Sequence, residues 1–468
     1  MRKKWKIPFS ILKFVNIILL FLPFAVCWYE YYEPKTLTAN SKQVSVLLFF
    51  LLIVVSYVIC FKLDAFRISV LQIRDIFFSQ VLAIGFTDVI AYILIWMLSI
   101  HMPRLLPGVL CFVFQCIVAL IWSFAVHRYY FWTHDPLPSV VIYDVRHGME
   151  DLIQEYGLQK RFKIIGTYPV EDILEHFEYL KDAEAVFICG VHSHDRNIVL
   201  KHCIYNKIKV FQIPRVGDVM MSGAEKIHML HLPILKSQYQ EMSIETRAIK
   251  RLIDIIISGT ALILLSPIML IVTLLVKSDG GPAFYKQKRL TQGNRVFEII
   301  KFRSMRVDAE KLSGPVLSAG EDDPRITKVG RFIRACRLDE LPQLINILKG
   351  DMSIVGPRPE RPEIAAEIQK TMPEFQLRTQ VKAGLTGYAQ VYGKYNTTFY
   401  DKLLMDLTYI AKPSIVEDLA IMLATVKILF SKESTEGVGK EQPMMMYEEH
   451  RKGKRKIAST CSKSSDVR

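Results

Sequence analysis

Several things are scarce or missing in this sequence, and each shortage removes a class of protein. The eight cysteines are scattered and form no CxxC pair, so neither a zinc site nor a disulfide framework is indicated. Acidic charge is in deficit: 46 Asp and Glu against 60 Lys and Arg leave a formal net charge of +14. That excess suits nucleic acid or an anionic membrane, and the long apolar runs decide for the membrane, so no nucleic-acid partner is expected. There is no internal repeat. The opening MRKKWKIPFSILKFVNIILLFLPFAVC lacks a small-residue cleavage pattern and further apolar runs follow, which argues against a removable signal peptide. Size is not limiting, since 468 residues suffice for two or three domains.

Four apolar runs, near 9–28, 44–61, 77–100 and 105–126, each approach the roughly 20 residues that cross a bilayer as a helix. They predict a membrane α-helical region over 1–127. Lys and Arg concentrate in MRKKWK, in KLDAFRISVLQIR and after the fourth run, so the positive-inside rule puts the N-terminus and everything after His127 on the cytoplasmic side.

Over 128–244 the pattern changes. Short apolar runs (SVVIYDV, FKIIGTY, AEAVFICG, KIKVFQIP) alternate with helix-like stretches such as VEDILEHFEYLKD, which predicts a Rossmann-like α/β domain with a parallel sheet. Its first turn, YDVRHGME, lacks the glycines that let backbone approach a pyrophosphate. A dinucleotide site is therefore not expected there, and a structural or subunit-contact role is. Residues 252–276 are again long and apolar, with Pro267 in mid-run, Ser266 before it and basic residues at both ends. Both ends on one side is the simplest solution: a re-entrant helix broken at Ser266 and Pro267, against the alternative of a fifth span with a proline kink. The tail 433–468 is polar and basic and reads as disordered, with RKGKRK available to anionic lipid.

The chemistry-bearing residues fall between 296 and 360. In VFEIIKFRSM the strand period of two puts Lys301 and Arg303 on one face, spaced to grip a phosphate or to line a solvent-facing sheet edge. Lys328, Arg331, Arg334 and Arg337 recur every three residues. An apolar helix then starts near Pro342 with Leu341, Leu344, Ile345 and Leu348 on one face, and Asp339 and Glu340 stand at its beginning. Alone, such a pair only complements a helix dipole. After the helix, Pro357 and Pro359 fix the chain on either side of Arg358, a planar fork suited to phosphate oxygens. Cations, two carboxylates and a fixed arginine in that order point to phosphoryl chemistry, in which cations must offset the repulsion between carboxylate and phosphate.

The segments KFRSM, RLDELPQLINILKGDMSIVGPRPE and VKAGLTGYAQVYG resemble the bacterial sugar transferases, the monotopic phosphoglycosyl transferase superfamily, over 245–432. The four helices and α/β domain ahead of them look like the large, polyprenyl glycosylphosphotransferase type. The resemblance implies a mixed, mainly α-helical monotopic catalytic domain with a re-entrant helix at 252–276. It implies transfer of a sugar 1-phosphate from a UDP-sugar to undecaprenyl phosphate with release of UMP, at the cytoplasmic face of a bacterial inner membrane. Carried over by position, Asp339 is the nucleophile and the metal ligand, Glu340 its partner, and Mg²⁺ the cofactor. Lys301, Arg303, Arg334 and Arg358 match phosphate-binding positions, and Ser266 and Pro267 match the helix break. Thr386 and Gln390 belong to the signature without an assigned role. The bilayer is the remaining partner, and a homodimer is left open. A catalytically silent membrane scaffold or sensor is the rival reading, which the intact carboxylate pair opposes. The stretch 400–430 reads as helices at the membrane surface, or as ordinary core.

Overall fold

The computed structural model describes residues 7–33, 41–99, 101–237, 242–278, 280–306, 325–393, 397–429 and 446–447. The chain divides into two compact units, Met1–Arg128 with Val216–Lys440, and Tyr129–Arg215 with Glu441–Arg468.

Four helices open the chain: α1 (Phe9–Cys27), α2 (Ser41–Lys62), α3 (Ile73–Leu98) and α4 (Leu105–Thr133). All four are long and apolar enough to cross a membrane. They are apolar nearly all round, as membrane helices must be. Phe14, Leu22, Leu47, Phe50, Met97 and Leu106 point outward, while Phe24, Trp28, Leu52 and Ile95 pack between helices. Trp28 Nε1 donates to Ser45 Oγ at 2.8 Å, satisfying the one polar atom that a buried indole carries.

The second unit contains β1 (Leu137–Tyr143), α5 (Met149–Glu155), β2 (Phe162–Pro169), α6 (Val170–Glu175), β3 (Ala185–Cys189), α7 (Ser193–Tyr205) and β4 (Lys209–Gln212). The four strands are parallel in the order β2-β1-β3-β4. Val140, Ile142, Val186 and Ile188 fill one side of the sheet and Val141, Phe187 and Cys189 the other. Burial on both faces is why these strands read as unbroken apolar runs rather than as alternation. The tail 433–468 lies outside the described residues apart from Met446–Tyr447, which pair antiparallel with Arg146–His147.

The rest of the chain adds α8 (Val216–Ser222), the hairpin β5 (Glu225–Met229) and β6 (Leu232–Lys236), α9 (Ile244–Lys277), and the antiparallel pair β7 (Phe284–Leu290) and β8 (Val296–Phe302). It continues through α10 (Lys328–Ala335), α11 (Gln343–Lys349), β9 (Ser353–Val355), α12 (Pro362–Thr371), β10 (Gly384–Thr386), α13 (Tyr388–Tyr392), α14 (Phe399–Ala411) and α15 (Ile415–Leu429). Its main core joins Val219, Leu344, Ile347, Val355, Phe375, Leu403, Leu407 and Ile421, so it begins before residue 245, with α8. α14 is an interior helix, with Leu403, Leu404, Leu407 and Ile410 all buried, rather than a membrane-surface one.

The 34 residues of α9 form one helix, running on through Ser266 and Pro267 where the sequence suggested a break. The reason is local. Pro267 has no N–H to offer the carbonyl four residues back, Ile263, and the Ser266 hydroxyl donates to that same carbonyl at 2.8 Å. One stripe of α9 is stitched to the core along its length. Lys250 Nζ bonds Asp418 Oδ2 at 2.6 Å, and Arg251 donates to the Ile347 and Leu348 carbonyls at the end of α11. Asp254 Oδ1 accepts from Ile354 N at 3.0 Å and Ser353 Oγ at 3.2 Å. Val272 and Val276 pack on Phe302 and Ile333 near the other end. The opposite stripe, with Ile256, Ile263, Leu264, Leu270, Ile271 and Leu274, is exposed and apolar apart from the hydroxyls of Thr260 and Ser266.

Candidate active site

Asp339 and Glu340 are delivered by a turn rather than by a helix. Thr327 starts α10, its hydroxyl accepting from Gly330 N at 2.9 Å, and the helix stops at Cys336. Arg337 then adopts a left-handed φ of +57°, and a single tight turn, Leu338–Glu340, leads through Pro342 into α11. The carboxylates thus precede a helix of seven residues, short for the dipole-capping explanation. Of the suggested face, Leu344 is buried while Ile345 and Leu348 are only partly so, and Ile347 is buried in their place. The cause is Asn346, whose Oδ1 accepts from Ile300 N at 3.0 Å and whose Nδ2 donates to Glu298 O at 2.8 Å, fixing the helix to the edge of β8.

That clamp sets Lys301 beside the turn. Lys301 Nζ lies 3.1 Å from Glu340 Oε1, and Arg358 Nη2 lies 2.8 Å from the same oxygen. The Glu340 side chain is only 13% exposed, against 41% for Arg358, so the arginine reaches from solvent onto a sheltered carboxylate. Burial by itself would raise the Glu340 carboxyl, but Arg358, Lys301 and Arg337 outweigh it and hold the group well below the usual carboxylate range. Asp339 moves the opposite way. Burial and the Glu340 charge beside it raise its carboxyl, against the pull of Lys301, Arg334 and Arg358. The two neighbours therefore differ in kind: Glu340 is a fixed anion bound by cations, and Asp339 is the destabilised, more basic one. Burial lowers the Lys301 ammonium and Glu340 opposes that, while for Arg358 the Glu340 charge dominates and raises it.

Of the six charged residues singled out by sequence, five converge and Arg303 does not. Its Nε donates to Pro282 O at 3.0 Å and its Nη2 to Val276 O at 2.9 Å, so it ties down the end of α9. β8 ends at Phe302, and the period of two that put Lys301 and Arg303 together no longer applies one residue later. Ser266 and Pro267 lie in α9, as described above. Thr386 is buried with its hydroxyl 2.6 Å from Thr425 Oγ1, and Gln390 Nε2 donates to Leu385 O, both structural bonds.

The loop carrying Arg358 is held on every side. β9 and β10 pair in parallel beneath it. A Cβ on Gly384 would come within 2.2 Å of Gly356 N, and one on Gly356 within 2.3 Å of Lys382 O, so both positions exclude a side chain. Arg289 donates to Pro359 O at 3.1 Å and Arg378 Nη2 to Arg358 O at 3.0 Å. Arg378 is in turn fixed by Asp406 Oδ2, 2.7 Å from its Nε, with the two side chains 8% and 1% exposed. Sequence reasoning missed this pair. The one available signal was Asp406 itself, an acid among the apolar positions of α14.

No cluster of three or more His, Cys, Asp or Glu side chains that could cage a metal occurs among the described residues. The hard oxygen donors at this site are Asp339 and Glu340, and Glu340 already holds two cations. That donor set fits a Mg²⁺ ion shared with phosphate oxygens, which such ions normally require.

Breaking the Arg378–Asp406 pair tests how far the loop depends on it. Asp406→Asn leaves the buried guanidinium with only the longer contact to Glu360, 3.9 Å from its Nη1, and removing one partner of a buried pair typically costs about 3–5 kcal/mol. A drop in thermal midpoint with lost hydrogen-exchange protection of the Gly356 and Gly384 amides, which donate to Thr386 O and Pro357 O at 2.9 Å, is expected; unchanged protection would show that the glycine contacts alone suffice.

Residues 245–432 match the sequence model of the family described as bacterial sugar transferase. A galactosyl transferase, CpsE, from Streptococcus agalactiae serotype III is 40% identical over 190 residues, covering 38% of this chain and 42% of that protein. The UDP-glucose:undecaprenyl-phosphate glucose-1-phosphate transferase of Escherichia coli is 36% identical over 224 residues, 46% of this chain and 48% of that protein. The exopolysaccharide production protein ExoY of Sinorhizobium fredii is 38% identical over 191 residues, 38% of this chain and 83% of that protein. The chain spans about half the length of most of the curated relatives it matches. On the strength of the ExoY coverage and the family match, this chain belongs to the bacterial sugar transferase family.

Proposed function

We propose that the chain transfers a sugar 1-phosphate from a UDP-sugar to undecaprenyl phosphate, releasing UMP, and so starts exopolysaccharide, capsule or O-antigen assembly. The observation that carries this reading is the split carboxylate pair, with Glu340 bound to Lys301 and Arg358 and the more basic Asp339 beside it. The relatives' names, which specify sugar phosphotransfer to undecaprenyl phosphate, support it.

In this mechanism an Asp339 oxygen attacks the phosphorus that bears the sugar. The bond from that phosphorus to the bridging oxygen breaks, UMP departs with the electron pair, and an aspartyl phosphosugar remains. A phosphate oxygen of undecaprenyl phosphate then attacks the same phosphorus, and the Asp339 oxygen leaves as carboxylate. An acyl phosphate retains the transfer potential that this second step needs. Arg334 and Arg358 offset the charge of the diphosphate, and Glu340 keeps Lys301 and Arg358 in place. Mg²⁺, which Asp339 would hold, supplies further screening of the phosphate oxygens when bound.

The exposed, mainly apolar stripe of α9, with its opposite stripe packed along the length of the helix on the catalytic domain, supports a helix sunk lengthwise into one leaflet with both termini on the same side. The α/β unit is read as Rossmann-like, and the catalytic domain as facing the cytoplasm of a bacterial inner membrane, where a soluble nucleotide donor and a membrane lipid meet at one surface.

Two experiments test these statements. Purified protein with undecaprenyl phosphate, Mg²⁺ and a panel of UDP-sugars should release UMP from a restricted set of donors, and Asp339→Ala should lower the rate by at least about 10³-fold. Release of UDP in place of UMP would exclude phosphosugar transfer. For topology, Glu245→Cys and Ser278→Cys in a cysteine-free background should label from the same membrane face; labelling from opposite faces would make α9 a spanning helix.

A further inference from the structure

The four-helix bundle contains a polar site that the transferase chemistry does not use. A cavity between α1, α2, α3 and α4 is walled by apolar residues such as Leu20 and Phe24, but four oxygen-bearing side chains, Ser56, Thr87, Asp88 and Gln115, also line it. Gln115 is 4% exposed. Its Nε2 donates to Leu20 O at 3.0 Å and reaches Asp88 Oδ1 at 3.5 Å. Its own Oε1, and Asp88 Oδ2, are sealed from solvent with no hydrogen-bond partner. Thr87 Oγ1 donates to Ala83 O at 2.7 Å, which leaves its lone pairs available. Two turns before Asp88 on α3, and one turn before Leu20 on α1, Gln80 and Asn16 are fully buried with both amide atoms of each unpaired.

A carboxylate inside hydrocarbon cannot remain charged without a compensating cation. The titratable groups that face Asp88 are Cys27 on α1 and Cys111 and Cys116 on α4; α2 contributes Ser56, and none of these supplies positive charge. A single carboxylate is balanced by a single charge, and a donor set made only of oxygens favours a hard ion. The unpaired amides of Asn16 and Gln80 extend the polar lining along the bundle, where buried water is the usual partner of such groups. We propose that the Asp88–Gln115 centre binds one small monovalent cation, sodium or a proton, in the core of the membrane bundle.

The test uses the full-length protein in phosphatidylcholine nanodiscs. Its thermal midpoint is followed as NaCl replaces choline chloride at constant ionic strength, and separately as pH falls from 8 to 5 in choline chloride. A wild-type midpoint that rises by about 3 °C in one arm, with a flat response in Asp88→Asn, supports the site; the sodium arm identifies Na⁺ and the acid arm alone identifies H⁺. Parallel responses of wild type and variant in both arms overturn it. Should Asp88→Asn fail to fold, wild-type protein decides by labelling with dicyclohexylcarbodiimide, which attacks protonated carboxyls in apolar surroundings. Modification of Asp88 that slows at least tenfold on adding Na⁺ or on raising pH supports the proposal, and labelling that is absent or indifferent to both overturns it.

Discussion

Everything at the candidate active site depends on one sheltered oxygen, Glu340 Oε1, which both Lys301 and Arg358 bind. The three residues come from a β-strand, a tight turn and a proline-bounded loop that are far apart in sequence, and the carboxylate gathers them. With Glu340 committed to cations, the excess positive charge around the pair is left for an anionic ligand, and Asp339 is the carboxylate that burial and its neighbour's charge make more basic. Two adjacent acids thus acquire different roles from their surroundings alone, without any difference in intrinsic chemistry large enough to separate them.

The scaffold is built to hold those three pieces still. Asn346 locks α11 to β8, and the Arg358 loop rests on glycine-to-backbone contacts and on two arginines, the half-buried Arg289 and the buried Arg378. The main core and the Phe302–Ile333 cluster grip α9 along one stripe and leave the other mainly apolar. Site and membrane helix are consequently parts of one rigid object: Asp254 on α9 holds the backbone of β9, and β9 leads directly into the Arg358 loop. The proposed transfer from a water-soluble donor to a lipid-embedded acceptor would use that connection.

How far the sequence was readable follows the range of the interactions involved. The four N-terminal helices and the strand-helix alternation of the parallel sheet are local patterns, set by composition and period, and they appear close to where expected. Asp339, Glu340 and Arg358 were legible as a group through the order of their motifs; as isolated residues the acids would pass for a helix cap. Arg303 misled because strand periodicity was extended one residue past the end of β8. Asn346 and the Arg378–Asp406 pair were invisible because their partners lie 28 or more residues away and follow no period. At Pro267 the sequence left a broken helix and a continuous kinked one as alternatives; α9 is continuous, its Ser266 hydroxyl bonding the carbonyl that proline leaves without its usual donor.

The central claim is that Asp339 carries the phosphosugar between donor and acceptor. It is tested most directly by incubating the protein with its UDP-sugar and Mg²⁺ but no undecaprenyl phosphate, quenching, and sequencing the peptide around residue 339 by mass spectrometry. The account predicts one sugar phosphate on Asp339, formed with a single burst of UMP and discharged when the lipid is added. UMP release that requires the lipid from the outset, with no adduct on Asp339, would mean direct attack by the acceptor and contradict it.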